Sequence, residues 1–113
     1  MPITIYEPGT VVLVPFPFSD LSGSKKRPAV VISDPRLQQA RHEIIVMMIS
    51  SRPPADEIDL SLRYWEKAGL LRPSKVRVGR VFTVDEKAAC RTLGRLHEED
   101  WSDLKEKWLA LQG

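Results

Sequence analysis

Lys25-Lys26-Arg27-Pro28-Ala29-Val30-Val31-Ile32-Ser33 runs from a polar, basic loop end straight into an unbroken apolar stretch. The apolar run, residues 28–33, is short and continuous, which reads as a strand buried on both faces. Arg27 stands at its root. A permanently charged guanidinium fixed there is costly unless it faces water, a carboxylate or a phosphate. Asp20 and solvent are local partners of the ordinary kind, and an oxyanion is the third.

Working outward, residues 10–18 upstream are β-branched, aromatic and apolar and read as the first strand. Pro15 and Pro17 remove ladder donors at alternate positions, so this strand is expected at an edge or ending in a bend. Residues 19–26, with Gly23 and several serines, read as a loop. Downstream, Asp34-Pro35 ends the buried run, and Glu43–Ser50 reads as a third strand stopped by Arg52-Pro53-Pro54. Residues 57–60 read as a short fourth strand. Residues 61–69 read as one or two helical turns between a Ser61 cap and a Gly69 stop.

Pro73 opens a further strand, residues 74–81, continued by Phe82-Thr83-Val84, with Gly79 marking a bulge or close backbone approach. Asp85-Glu86-Lys87 is a turn, and residues 90–96 form a last strand or an irregular segment. At the C-terminus, Trp101, Leu104, Trp108, Leu109 and Leu111 fall mostly on one helical face, with Glu98, Glu99 and Asp100 in the first turn, where the helix dipole favours negative charge. The expected fold is mainly β with a C-terminal α-helix, as one domain over residues 1–113. The three tryptophans are expected in packing rather than as base-stacking platforms.

Charge is uneven. The formal net charge is +2, yet residues 61–97 hold nine basic and three acidic side chains, while residues 98–113 hold two basic and five acidic. That middle segment makes a local anionic partner more plausible than the net charge alone suggests, although a solvated face is the commoner outcome for a short charge cluster. One cysteine, Cys90, excludes an internal disulfide framework and a cysteine-rich zinc site, fits a reducing compartment and is expected as a small buried residue. No apolar run reaches membrane-spanning length and the N-terminus lacks a signal-peptide core, so a cytoplasmic protein without membrane association is expected.

Familiar catalytic signatures are missing. Gly23-Ser24-Lys25-Lys26 lacks the earlier glycine, the following hydroxyl residue and the helix of a phosphate-binding loop. There is no Gly-x-Ser-x-Gly elbow. Two histidines, His42 and His97, do not make a metal cluster, so neither metal nor cofactor is expected. What remains is arginine and hydroxyl chemistry. If residues 28–33 and Glu43–Ser50 pair antiparallel, Arg27 and Ser50 meet at one edge of the sheet. Such a pair suits a phosphoryl group, because arginine donates bidentate hydrogen bonds and its charge counts most in the more anionic transition state. RNA brings its own nucleophile, the 2′-hydroxyl, so an enzyme without metal need only align it, stabilise the phosphorane and manage two protons.

Pro8-Gly9-Thr10-Val11-Val12-Leu13-Val14, the Arg27–Ser33 stretch, Gly69-Leu70 through Ser74, and Thr83-Val84-Asp85 ahead of Leu93-Gly94-Arg95-Leu96 are collinear with the pattern of the MazF/PemK toxins, which the chain resembles from about Pro8 to the terminal helix. The resemblance implies a small SH3-like barrel of the MazF/PemK/CcdB type and a homodimer. It implies a metal-independent, sequence-specific endoribonuclease that cuts single-stranded RNA to 2′,3′-cyclic phosphate and 5′-hydroxyl ends, and a cognate antitoxin. Arg27 falls on the family's catalytic arginine. Ser50 stands where threonine is usual, keeping the hydroxyl and losing the methyl. Arg77 falls on an arginine that some PemK-type members use beside the scissile phosphate, but the aspartate two residues later in those members is Gly79 here.

Arg80 replaces a common glutamine, and the loop after the first strand is shorter than in many members. Asp20 and His42 are the candidate proton carriers. Lys25, Lys26, Arg52, Lys75 and Arg80 are the expected RNA-binding cations. Two other readings use the same scaffold: a gyrase inhibitor like CcdB, and an RNA-binding regulator that has lost its proton acceptor at Gly79.

Overall fold

The computed structural model describes residues 4–16 and 25–113. In chain order these form β1 (Thr10–Phe16), β2 (Lys25–Val31), α1 (Pro35–Arg41), β3 (Glu43–Ser50), β4 (Leu60–Ser61), β5 (Lys75–Asp85), a 3₁₀ turn (Glu86–Ala88), β6 (Arg91–Arg95) and α2 (Glu98–Leu111). The strands make one antiparallel sheet in the order β4-β5-β3-β2-β1-β6, curled into a half-barrel. The mainly β reading with a terminal helix is therefore correct.

The continuous apolar runs behave as expected of strands buried on both sides. Alternate residues go to opposite faces of a strand. Val11, Val30, Met47, Ile49 and Val76 build one core, while Val12, Val14, Ala29, Val31, Ile44 and Val46 build a second. α2 closes the first core with Leu104, and half-buried Trp101 and Trp108 pack beside it together with Trp65. These three helix positions have the 3–4 spacing of a single stripe. Leu109 and Leu111 lie outside it and are exposed.

Several local readings need correction. β1 is not an edge strand along its length: β6 pairs with Thr10–Leu13, and only the part carrying Pro15 projects beyond that pairing. Proline thus still sits where no neighbour needs its donor. Pro17 lies outside the described residues. β2 starts at Lys25, inside the expected loop. Asp34-Pro35 does more than stop a strand. The Asp34 side chain accepts from the Arg36 N–H and Pro35 stands at the first position of α1, a capped start that the sequence contained.

The expected strand at 57–60 shrinks to Leu60–Ser61, because Asp56 and Asp59 draw the backbone N–H groups of residues 56, 58 and 59 into a local turn. The backbone N–H of Asp59 is the leading cause holding the Asp56 carboxyl below its usual range. Residues 63–69 are successive turns, with N–H to C=O bonds from Lys67 to Tyr64, Ala68 to Trp65 and Gly69 to Glu66. Cys90 is exposed rather than buried. Its backbone N–H is spent on the Leu13 carbonyl and its thiol reaches only the nearby Ala88 carbonyl.

Those turns are held against α2 by Asp100, 1% exposed, whose carboxylate accepts from the Arg63 and Tyr64 N–H groups at 3.1 and 2.9 Å. Arg63 reaches back to Asp103 at 2.8 Å. Hydrogen bonds to a charged acceptor contribute more than neutral ones, and removing a buried acceptor strands its donors. Asp100→Ala is therefore expected to cost about 2 kcal/mol in chemical denaturation. A loss below a few tenths would mean that water replaces the carboxylate freely.

Candidate nucleic-acid interface

The β2–β3 register pairs Ala29 with Met48, Val30 with Met47 and Val31 with Val46. Carried two residues further it sets Arg27 opposite Ser50, as the antiparallel reading required. Both side chains' residues line one cavity of about 380 Å³ at the end of these strands. Its other polar lining is Ser51, Arg52, Arg72, Ser74 and Arg91, and its apolar walls include Leu13, Ile49, Leu70 and Leu93. Gly69, at φ +81°, lets the turn pass the Leu93 carbonyl, to which a built Cβ would stand 2.1 Å away. Gly94 makes the reciprocal approach to Ala68. These two glycines bring the segment carrying Leu70 and Arg72 against β6, which carries Arg91 and Leu93.

The charge in this cavity is one-sided. Among the described residues four arginines and three serines line it, and no carboxylate. Elsewhere three arginines are paired, Arg36 with Asp34, Arg63 with Asp103 and Arg77 with Asp59. None of the four cavity arginines forms an ion pair with a described residue. Arg27 Nε is buried and has no hydrogen-bond partner among the described residues. A buried guanidinium N–H left unmade is costly, so its natural complement is an acceptor brought by a ligand. Ser50 Oγ accepts from the Arg52 N–H at 3.1 Å, which leaves its hydroxyl proton free to donate.

The remaining expected site residues are elsewhere. Arg77 does not line the cavity. Its Nε lies 2.8 Å from the Asp59 carboxylate, which is 3% exposed, while Lys107 Nζ donates to the Glu57 and Asp59 carbonyls. Arg77 is thus a clamp on the 51–61 segment in this arrangement. The bulge read at Gly79 is real: the β3–β5 register shifts between Met47 and Ile49, and Gly79 has φ +94°. Arg80 beside it is exposed and outside the cavity. Lys75 is buried and its ammonium donates to the Arg52 carbonyl, so it supports the loop that carries a cavity arginine.

Lys25 and Lys26 are exposed at the start of β2, next to Arg27. His42 caps α1 and contacts Glu86 at 3.2 Å, roughly 25 Å of strand away from Ser50. The fold does not bring it to the cavity within one chain. Asp20 lies outside the described residues. Among the described residues no three His, Cys, Asp or Glu side chains converge as metal ligands. Arg72 and Arg91 were missed by the sequence reading. Both lie in the basic 61–97 segment, but only the pairing of β6 with β1 and the Gly69 crossing show that they meet Arg27.

The profile of the PemK-like, MazF-like toxins of type II toxin-antitoxin systems matches residues 7–111. The chain belongs to this family. Solved structures with the same fold include MazF from Deinococcus radiodurans, at 17% identity over 96% of each chain with a TM-score of 0.75, and the MazE–MazF complex from the same organism, at 15% over 97% of each chain and 0.75. A mycobacterial endoribonuclease in complex with its cognate antitoxin matches at 9% identity, 95% of this chain, 97% of that chain and 0.74. No curated protein sequence matches. In this PemK/MazF-like chain the expected SH3-like barrel is present. No described helix is long and apolar enough to cross a membrane.

Proposed function

We propose that this PemK/MazF-like protein is an endoribonuclease toxin that cleaves single-stranded RNA by transesterification without a metal, centred on Arg27. The observation that carries the reading is the cavity itself: Arg27 Nε, unpartnered among the described residues, opposite Ser50 and among arginines that no described carboxylate pairs. The RNA 2′-oxygen attacks the adjacent phosphorus, the P–O5′ bond breaks, and a 2′,3′-cyclic phosphate and a 5′-hydroxyl result. One proton leaves the 2′-oxygen and one reaches the 5′-oxygen, with no change of oxidation state. Arg27 donates to the phosphoryl oxygens as they gain charge, and the Ser50 hydroxyl donates to a second oxygen to hold the in-line geometry.

The test is incubation of the protein with a long single-stranded RNA in EDTA, followed by mapping of the fragment ends. Discrete cuts with cyclic-phosphate and 5′-hydroxyl ends establish the reading. Intact RNA across diverse sequences, with folded protein, overturns it in favour of a non-catalytic binder such as a gyrase inhibitor.

A homodimer and a cognate antitoxin belong to the same proposal, supported by family membership and by the antitoxin complexes of the structural neighbours. The antitoxin would lay an acidic segment over the cavity arginines, so its affinity is expected to fall as salt rises. Salt-independent binding contradicts that picture, and a monomeric mass at micromolar protein contradicts the dimer.

A further inference from the structure

The cavity beside Arg27 has more structure than a phosphate site needs. Leu13, Ile49, Leu70 and Leu93 give it apolar walls, which a phosphate does not use. Its volume of about 380 Å³ lies at the small end of the range for ligand sites, about 300–1,000 Å³. Such a slot suits one unstacked nucleobase, flat and apolar on its faces and polar only at its edge. Single-stranded RNA is read in this way, by splaying out a base and bonding its edge.

The polar side chains at this slot constrain which edge fits. Arginine donates and never accepts. Arg52, Arg72 and Arg91 therefore present donors alone, and among the described residues no carboxylate or side-chain amide lines the cavity. The Ser74 hydroxyl already donates to the Arg72 carbonyl and fastens that loop. Adenine has no edge with two adjacent acceptors, the two carbonyls of uracil are split by its N3–H donor, and the N3–O2 pair of cytosine lies beside an amino donor that would face the other guanidiniums. Guanine presents two adjacent acceptors, O6 and N7, which match a guanidinium fork bidentately. Of the candidate readers, Arg91 stands on β6 in register with Leu13, a wall of the slot. A reader rooted on a paired strand holds its geometry better than one on a loop.

We propose, resting on the endoribonuclease reading, that this cavity is a guanine-specific base slot adjacent to the scissile linkage, read by Arg91. Arg91 is then a specificity residue, distinct in role from Arg27.

The test compares RNAs that differ only in the base flanking the mapped cut. One carries guanine, three carry the other bases, and one carries 7-deazaguanine, which lacks the N7 acceptor. Binding of the same sequences with an uncleavable 2′-O-methyl group is measured in parallel across salt. The expected result is a preference for guanine of about tenfold or more in both readouts, weakened by the 7-deaza base. Arg91→Ala and Arg91→Lys are expected to bring the five sequences to similar values while still cleaving, since lysine keeps the charge without the fork.

Two results overturn the proposal: no guanine preference in the native protein, or a preference that survives Arg91→Ala. A third is a uniform loss across all sequences with the salt slope reduced by about 0.7, the mark of a phosphate contact only. Failure of cleavage with guanine-selective binding retained would count against the enzyme and leave the slot standing, so the two readings fail separately.

Discussion

Arg27→Ala is expected to lower kcat/KM for RNA cleavage by about 10³-fold, with the melting temperature little changed. The magnitude follows from what the side chain does in the proposed step. Its charge and its two-pronged donors act where negative charge grows on the phosphoryl oxygens, an interaction stronger in the transition state than in the bound substrate. The loss should therefore fall mainly on kcat. Stability should be spared because Arg27 Nε has no partner among the described residues, so truncation breaks no hydrogen bond described there. Arg27→Lys is expected to recover only part of the loss, since a point charge replaces a planar fork. Equal cleavage by native protein and Arg27→Ala would remove Arg27 from the chemistry.

The second large effect is on folding. Gly69→Ala is expected to destabilise the protein by about 3 kcal/mol or more, on the order of a 10 °C drop in melting temperature. Two penalties combine. At φ +81° a side chain is strained, and the added Cβ would stand 2.1 Å from the Leu93 carbonyl oxygen, a backbone atom that cannot simply rotate away. Gly79→Ala separates them. Its φ of +94° is similarly unfavourable, but the nearest atom is the edge of Trp108 at 3.9 Å. That variant should carry the conformational penalty alone, about 1–2 kcal/mol. If the two variants melt together, the close passage at Leu93 is softer than the geometry states.

How much of this was legible in the sequence depended on range. Glu43–Ser50 was read with its observed bounds, because an uninterrupted apolar run between Glu43 and the Pro53-Pro54 stop has one reading. The meeting of Arg27 and Ser50 followed from pairing two adjacent strands, a short-range inference that the register supports. Arg72 and Arg91 were not legible, because their position depends on β6 returning to β1 and on two glycines that let backbones pass. The ion pair that holds Arg77 to Asp59, eighteen positions earlier, was no more legible. Side-chain pairing across such a distance leaves no periodic trace. α1 is a different case: Asp34-Pro35 both ends a strand and carries a local helix start, an aspartate cap before a first-turn proline.

The two ends of the sheet bear on how any protein partner could be caught. On one side β4, just two residues long, pairs only with Lys75 and Val76 and leaves the rest of β5 without a further strand among the described residues. On the other, the Ala68–Gly69 backbone lies across β6, and the part of β1 left beyond β6 carries Pro15, which has no N–H to offer. The β1–β6 side, finished in this way, resists addition of an outside strand. Recognition of this toxin on that side would then be written in side chains, arginine against carboxylate and leucine against leucine. An inhibitory peptide could change its sequence, and its target, without any backbone ladder to preserve.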